Sequence, residues 1–238
     1  MRFFKSFFAV AILAAGAVSA APVTFSAADG VVVHADYQGQ GKRPLIVLFH
    51  QAGSNLHEYD PIVPRLHDLG FDTLAVSQRS GGARFGGEND TAQGVGGDPD
   101  YLQAYPDMEA ALAFARGKAG RVVVWGSSYS SALVFKLVSE HPKGVVGLLS
   151  FSPGEYFGSA FSVKMAAAKV AAPVFVTSAS DTGEIAAAKA IVAAVPGQAT
   201  QFVPKRGVHG SSTLRGDQNP KGRVENWAAV EAFLAPLR

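Results

Sequence analysis

Arg121-Val122-Val123-Val124-Trp125-Gly126-Ser127-Ser128-Tyr129-Ser130 runs straight into Ser131-Ala132-Leu133-Val134-Phe135-Lys136-Leu137-Val138. Val122 to Trp125 form a short, continuously apolar run of β-branched and aromatic side chains, which suits a strand covered on both faces. The residues after Ser130 carry a helical pattern without a breaker. The stretch therefore reads as strand, tight turn and helix, with Ser128 at the apex. Such a turn is strained and needs small residues two before and two after the apex, where larger side chains would strike the neighbouring strand and helix. Gly126 and Ser130 meet that demand. The Ser128 hydroxyl is left exposed, and the N–H groups of the helix start point at any oxyanion formed beside it.

On either side of this unit the same alternation recurs. Strand-like runs fall at Val31–Val33, Leu45–Phe49, Thr73–Val76, Val122–Trp125, Val145–Leu149, Pro173–Val176 and Gln201–Val203. Helical patterns lie between or after them, at roughly 57–69, 101–117, 129–141, 158–171, 183–194 and 223–235. This order predicts a mostly parallel sheet of about eight strands with helices on both faces, whose ligands sit beyond the carboxyl ends of the strands. The loop Gln38-Gly39-Gln40-Gly41 is short enough to make 30–37 and 44–50 an antiparallel hairpin.

The chain has 238 residues, 48% of them hydrophobic and 17% charged, which excludes disorder, collagen and coiled coil. The absence of Cys excludes disulfides, thiolate catalysis and iron-sulfur ligation. At the start, Arg2 and Lys5 precede an apolar run from Phe7 to Val18 and the small residues Ser19-Ala20. That is the pattern of a secretory signal peptide cleaved before Ala21, too short in its apolar part to span a bilayer. The expected organisation is a signal over 1–20 and one domain over 21–238, periplasmic or secreted, with no stable membrane anchor after cleavage. The signal holds two of the 21 basic residues and none of the 19 acidic ones, so the mature chain is formally neutral. No basic run suggests a nucleic-acid partner.

A serine needs a base held by a carboxylate before it attacks a carbonyl. His209 lies after Ser128 in a loop past a strand, within Gly207-Val208-His209-Gly210-Ser211. Between them, Pro173–Val176 leads to Asp181, just beyond a buried strand. The expected triad is Ser128, Asp181 and His209. Asp181 also reads as a helix N-cap, and Glu155 and Glu184 are the other carboxylates placed to serve His209. His50 reads as an organiser of its own loop. Histidines and carboxylates do not cluster at metal-ligand spacing, and no metal or organic cofactor is expected.

With these residues the sequence resembles the α/β-hydrolase family over its whole mature length. The family's G-x-S-x-G elbow stands here as Gly126-Ser127-Ser128-Tyr129-Ser130, and the order nucleophile, acid, histidine matches. Leu48–Asn55 is similar to the family's oxyanion loop, with His50-Gln51-Ala52-Gly53 in place of the commoner His-Gly. The resemblance implies that the backbone N–H of Gln51, or alternatively that of Ala52, joins the N–H of Tyr129 in holding the oxyanion. Size and the lack of a large cap insertion are closest to the dienelactone-hydrolase-like branch, in which the usual nucleophile is Cys.

The implied activity is cleavage of small-molecule carboxylic esters, with peptidase, thioesterase or acyltransferase chemistry as alternatives on the same machinery. A binding protein without turnover is the alternative of a different class. The glycine-rich segment 77–99 has no phosphate-binding motif. Its Gln78, Arg79 and Phe85 are candidates to border the pocket, and Phe151, Tyr156, Phe157 and Phe161 to wall it.

Overall fold

In the computed structural model, which describes residues 21–238, Val122–Ser127 becomes a fully buried strand, β5, near the middle of an eight-stranded sheet. The other strands are β1 (Ala21–Ser26), β2 (Val32–Gln38), β3 (Leu45–Phe49), β4 (Asp72–Ser77), β6 (Val145–Phe151), β7 (Val174–Thr177) and β8 (Ala199–Phe202). Their order is β1-β2-β4-β3-β5-β6-β7-β8. Six strands from β4 to β8 run parallel, and β2 pairs antiparallel with both β1 and β4. The signal-peptide reading falls on residues outside those described.

Alternation along the apolar strands explains the two-sided burial. Leu45, Val47 and Phe49 of β3 enter one core with Val122 and Val124, while Ile46 and Leu48 enter the other with Val123 and Trp125. The first core is covered by α3 (Tyr105–Lys118), α4 (Tyr129–Glu140), α5 (Val163–Ala167) and α6 (Thr182–Val192). The second is covered by α1 (Val63–Asp68) and α7 (Arg223–Leu234), where Trp125 stacks on Phe151 at 4.5 Å between centroids. A strand buried on both faces has no polar side to show, which is why β3 and β5 read as unbroken apolar runs.

The expected hairpin of 30–37 with 44–50 does not form. β3 pairs with β4 and β5, and β2 pairs with β1 and β4. An all-apolar β3 belongs in the sheet centre, so the chain crosses the end of β4 to reach it. The Asp72 carboxylate holds that crossing by accepting the N–H groups of Gln40 and Gly41, both at 3.0 Å. The partner of β2 is instead β1, an edge strand whose alternating exposure gives it little apolar signal. Segment 77–99 also holds a short helix that the sequence did not announce, α2 (Asp90–Val95), capped by Asn89.

The order of the strands places the site. From β3 the chain steps outward to β4, and from β4 it returns across β3 to β5 on the other side. Loops leaving β3 and β5 therefore diverge, and a crevice opens between them at the carboxyl edge of the sheet. The loop after β3 is His50–Asn55, and the turn after β5 carries Ser128.

Candidate active site

Ser128 sits between β5 and α4 with φ 59° and ψ −123°, a conformation costly for a residue with a Cβ. Its N–H donates to the Phe151 carbonyl at 2.8 Å, which pins the turn to β6. Gly126 is required: a Cβ there would lie 2.5 Å from the Ser130 carbonyl oxygen. Ser130, which stands where the motif has glycine, accommodates its Cβ and uses its hydroxyl as a staple. Its Oγ accepts from the Ser127 N–H at 2.8 Å and lies 2.8 Å from the Phe49 carbonyl, to which it donates.

His209 reaches this turn from the loop after β8. Its Nε2 is 2.7 Å from Ser128 Oγ, and its Nδ1 is 2.8 Å from Glu184 Oε1. The histidine loop is sewn to the loop after β7, since the Gly207 N–H donates to Ser180 Oγ at 2.6 Å and the Ser180 N–H returns to the Gly207 carbonyl at 3.2 Å. On its other side, the Gly210 N–H donates to Ser152 Oγ at 2.9 Å. Ser152 is itself at φ 59°.

The carboxylate facing His209 is Glu184, and the expectation for Asp181 is corrected accordingly. Asp181 is the exposed N-cap of α6, its Oδ1 accepting the N–H groups of Gly183 at 2.8 Å and Glu184 at 3.1 Å. Glu155 is likewise occupied, capping α5 through the N–H groups of Val163 and Lys164. Glu184 lies one turn into α6 and reaches back, its Oε2 accepting the Ala179 N–H at 2.9 Å. Burial alone would raise its pKa. The His209 ring, the nearby Ser152 hydroxyl and the Ala179 amide together outweigh burial and hold the carboxyl at about 2, so it is an anion across the physiological range.

The expected oxyanion donors divide. Tyr129 is the first residue of α4, where amide N–H groups have no intrahelical acceptor. The Gln51 N–H is not free, because it donates to Glu58 Oε2 at 2.7 Å. That overturns Gln51 and leaves the alternative, Ala52, whose N–H has no hydrogen-bond acceptor among the described residues. His50 is buried as a neutral imidazole: its Nδ1 donates to the Gln51 carbonyl at 2.8 Å and its Nε2 accepts the Gln78 N–H at 2.9 Å. Burial lowers its pKa to about 4. Gln78, also buried, bonds the His50 N–H and the Tyr129 hydroxyl, so it braces the crevice from beneath.

Of the residues expected to border or wall the pocket, Arg79 and Phe85 are committed elsewhere. The Arg79 guanidinium is clamped by Asp107 and Asp29, with Nη2 at 2.7 Å from Asp107 Oδ1 and 2.9 Å from Asp29 Oδ1. Held by these two carboxylates through Nε, Nη1 and Nη2, it locks the root of segment 77–99. Phe85 packs between Arg84 and Arg215, with the Arg215 guanidinium 4.2 Å from its ring centroid. Tyr156 does lie at the site. Its hydroxyl donates to the Ser152 carbonyl at 2.6 Å and borders the Ser128 hydroxyl. Burial and the Glu184 charge push the phenol up to about 12. Phe151 is core, stacked on Trp125. Tyr101, which the sequence did not single out, stacks on Tyr129 at 4.6 Å while remaining 41% exposed beside the α4 start.

The fold has counterparts among solved structures. Esterase Pf2001 of Pyrococcus furiosus is 16% identical, with 91% of this chain and 90% of that one aligned at a TM-score of 0.68. Dienelactone hydrolase of Anabaena variabilis is 14% identical over 91% and 97%, at 0.69. The chain has the α/β-hydrolase fold. Est1E of Butyrivibrio proteoclasticus, solved with ferulic acid bound, is 13% identical over 89% and 97% at 0.68. No protein-family model matches this chain, and no curated protein does.

Proposed function

We propose that this α/β-hydrolase-fold chain is a serine hydrolase that cleaves carboxylic esters through an acyl-enzyme on Ser128, His209 and Glu184. The observation that carries the reading is the continuous relay from Ser128 Oγ to His209 Nε2 at 2.7 Å and from Nδ1 to Glu184 Oε1 at 2.8 Å, built on a strained turn. Glu184 accepts the Nδ1–H, so Nε2 is the bare nitrogen and takes the Ser128 proton as Oγ attacks the ester carbonyl. The N–H groups of Tyr129 and Ala52 receive the oxyanion. The tetrahedral adduct then expels the alcohol, which is protonated from Nε2–H, and water repeats the sequence to release the acid. Tyr101 and Tyr156, both partly exposed beside the nucleophile, border the substrate.

Export is part of the proposal. What supports it is the sequence pattern of Arg2 and Lys5 ahead of an apolar run from Phe7 to Val18 and the small residues Ser19-Ala20. A fluorophosphonate probe on the purified protein tests the chemistry. Covalent labelling of the wild type, lost in Ser128→Ala together with turnover of p-nitrophenyl esters, supports the reading. An unlabelled wild type, or a Ser128→Ala variant keeping more than about a thousandth of the rate, refutes it.

A further inference from the structure

Beneath the site lies a carboxylate that the mechanism does not use. Glu58 has no solvent exposure, and it lies in a single 3-10 turn, Leu56–Tyr59, after the oxyanion loop. Three donors converge on it. The Gln51 N–H meets Oε2 at 2.7 Å, while Gln51 Nε2 at 3.0 Å and Ser127 Oγ at 2.6 Å meet Oε1. Ser127 is the donor in its bond, because a carboxylate oxygen can only accept, and its own oxygen accepts the Ser211 N–H at 2.8 Å.

Its two partner residues belong to different catalytic loops, and both bind the third. Gln51 precedes Ala52 in the loop after β3. Ser127 immediately precedes the nucleophile. Ser211 lies two residues beyond His209, and Ser212 accepts a second bond from Gln51 Nε2 at 3.0 Å. Gly210 is glycine because a Cβ there would fall 2.5 Å from Ser127 Oγ, so the histidine loop packs directly on this cluster. Burial raises the Glu58 pKa, and the bonds from Ser127 and Gln51 act in the opposite direction together with the Arg215 charge. Arg215, itself buried, donates to the Glu58 carbonyl at 2.7 Å.

We infer that Glu58 is a positioning residue for the proposed reaction: one buried carboxylate fixes the oxyanion loop, the nucleophile turn and the histidine loop relative to one another. One departure from the common motif and one of its variable positions supply the partners. Gln51 stands where glycine is usual and contributes the side-chain arm, and Ser127 fills the variable place before the nucleophile. With the Gln51 N–H committed to Glu58, the loop presents the next amide, Ala52, to the oxyanion. The inference rests on the hydrolase reading for its kinetic consequence but not for the fastening itself.

Glu58→Gln keeps the shape and replaces one acceptor oxygen with an NH2 group, which must face either the Gln51 N–H or the pair formed by Ser127 and Gln51 Nε2. Either way two donors confront each other at a buried point. For p-nitrophenyl butyrate the expected result is a fall in kcat of about 100-fold, the scale of a lost oxyanion donor, with KM within about threefold. Affinity for phenylboronic acid, which forms a tetrahedral adduct, falls in parallel. Deuterium uptake over 50–56 and 209–214 rises while α3 is unchanged.

A folded Glu58→Gln whose kcat stays within about threefold of wild type, or which alters KM alone, overturns the inference. Should that variant fail to fold, Ser127→Ala removes one arm at lower risk. A kcat about tenfold lower at constant KM and melting temperature supports the inference, and an unchanged kcat overturns it. If the wild type proves inert to esters and fluorophosphonate, the hydrolase reading has failed separately. Deuterium uptake in the folded variant then decides the fastening, and unchanged uptake over 50–56 overturns it.

Discussion

Replacing Glu184 by Gln tests the acid of the relay, and the structure sets the size of the effect. The Glu184 carboxylate has two fixed partners, the Ala179 N–H on Oε2 and His209 Nδ1 on Oε1. A Gln side chain can satisfy one of them with its oxygen. If the oxygen keeps the Ala179 N–H, the NH2 faces Nδ1 and enforces the tautomer protonated on Nε2, which cannot take the Ser128 proton. If the oxygen turns to Nδ1, a donor faces a donor at Ala179, costing about 1 to 3 kcal/mol.

The lost charge adds to this. A carboxylate about 4 Å from an imidazolium is worth about 4 kcal/mol at an effective dielectric of about 20, and roughly half of that where solvent reaches the pair. His209 is such a case, with its side chain 42% exposed. Together these give about 3 to 5 kcal/mol, or a fall in kcat of roughly 10²- to 10⁴-fold. Asp181→Asn, by contrast, keeps a good N-cap and should hold near-wild-type turnover. The assay is kcat on a p-nitrophenyl ester, normalised to folded protein. Glu184→Gln within about tenfold of wild type, with collapse in Asp181→Asn, would refute the assignment.

The same carboxyl makes a statement about acid stability. Its pKa is 4.5 ordinarily and about 2 in the folded chain, so its contribution is complete above pH 4.5 and fades as pH falls through about 2. The melting-temperature gap between wild type and Glu184→Gln should therefore close over that interval; a gap that persists at pH 2 would contradict it. Asp107→Ala leaves the Arg79 guanidinium with only the half-exposed Asp29, and breaking so buried a pair costs about 3 to 5 kcal/mol. A drop of about 10 °C in melting temperature is expected, and a drop under about 2 °C would show that Arg79 is not held as described. Gly126→Ala places a Cβ 2.5 Å from the Ser130 carbonyl and should abolish fluorophosphonate labelling; a labelled variant would mean the turn can shift. N-terminal sequencing of the exported protein should begin at Ala21, and a start at Met1 would sink the export proposal.

What the sequence disclosed of the fold depended on how each strand is buried. β3 and β5 are covered on both faces and show as unbroken apolar runs. β1, exposed along its edge, shows almost nothing, and the hairpin expected in its place paired β2 with the wrong neighbour. Strand pairing follows from which strands must be central, a property of the whole sheet that a short connecting loop does not reveal.

The site was legible to the same degree and for a related reason. Ser128 and His209 stand where backbone pattern alone puts them, at a turn and after a strand. The carboxylate facing His209 is not the expected Asp181, because Asp181-Thr182-Gly183-Glu184 has the form of a helix start, in which the first residue caps and the fourth reaches back to the backbone. Asp181 does what that pattern describes and caps the helix, whereas Glu184 Oε2 reaches past the cap to the Ala179 N–H. What the pattern leaves open is the second oxygen of Glu184, and only the fold, by bringing the 205–212 loop across the start of α6, decides that it meets His209. Glu58 gave less sign still. A carboxylate in Asn55-Leu56-His57-Glu58-Tyr59 reads as solvated surface, and its burial follows from donors contributed by residues as much as 69 positions away. Side chains whose role is set by local backbone can be found from sequence, whereas those whose role is set by a partner across the fold require the fold.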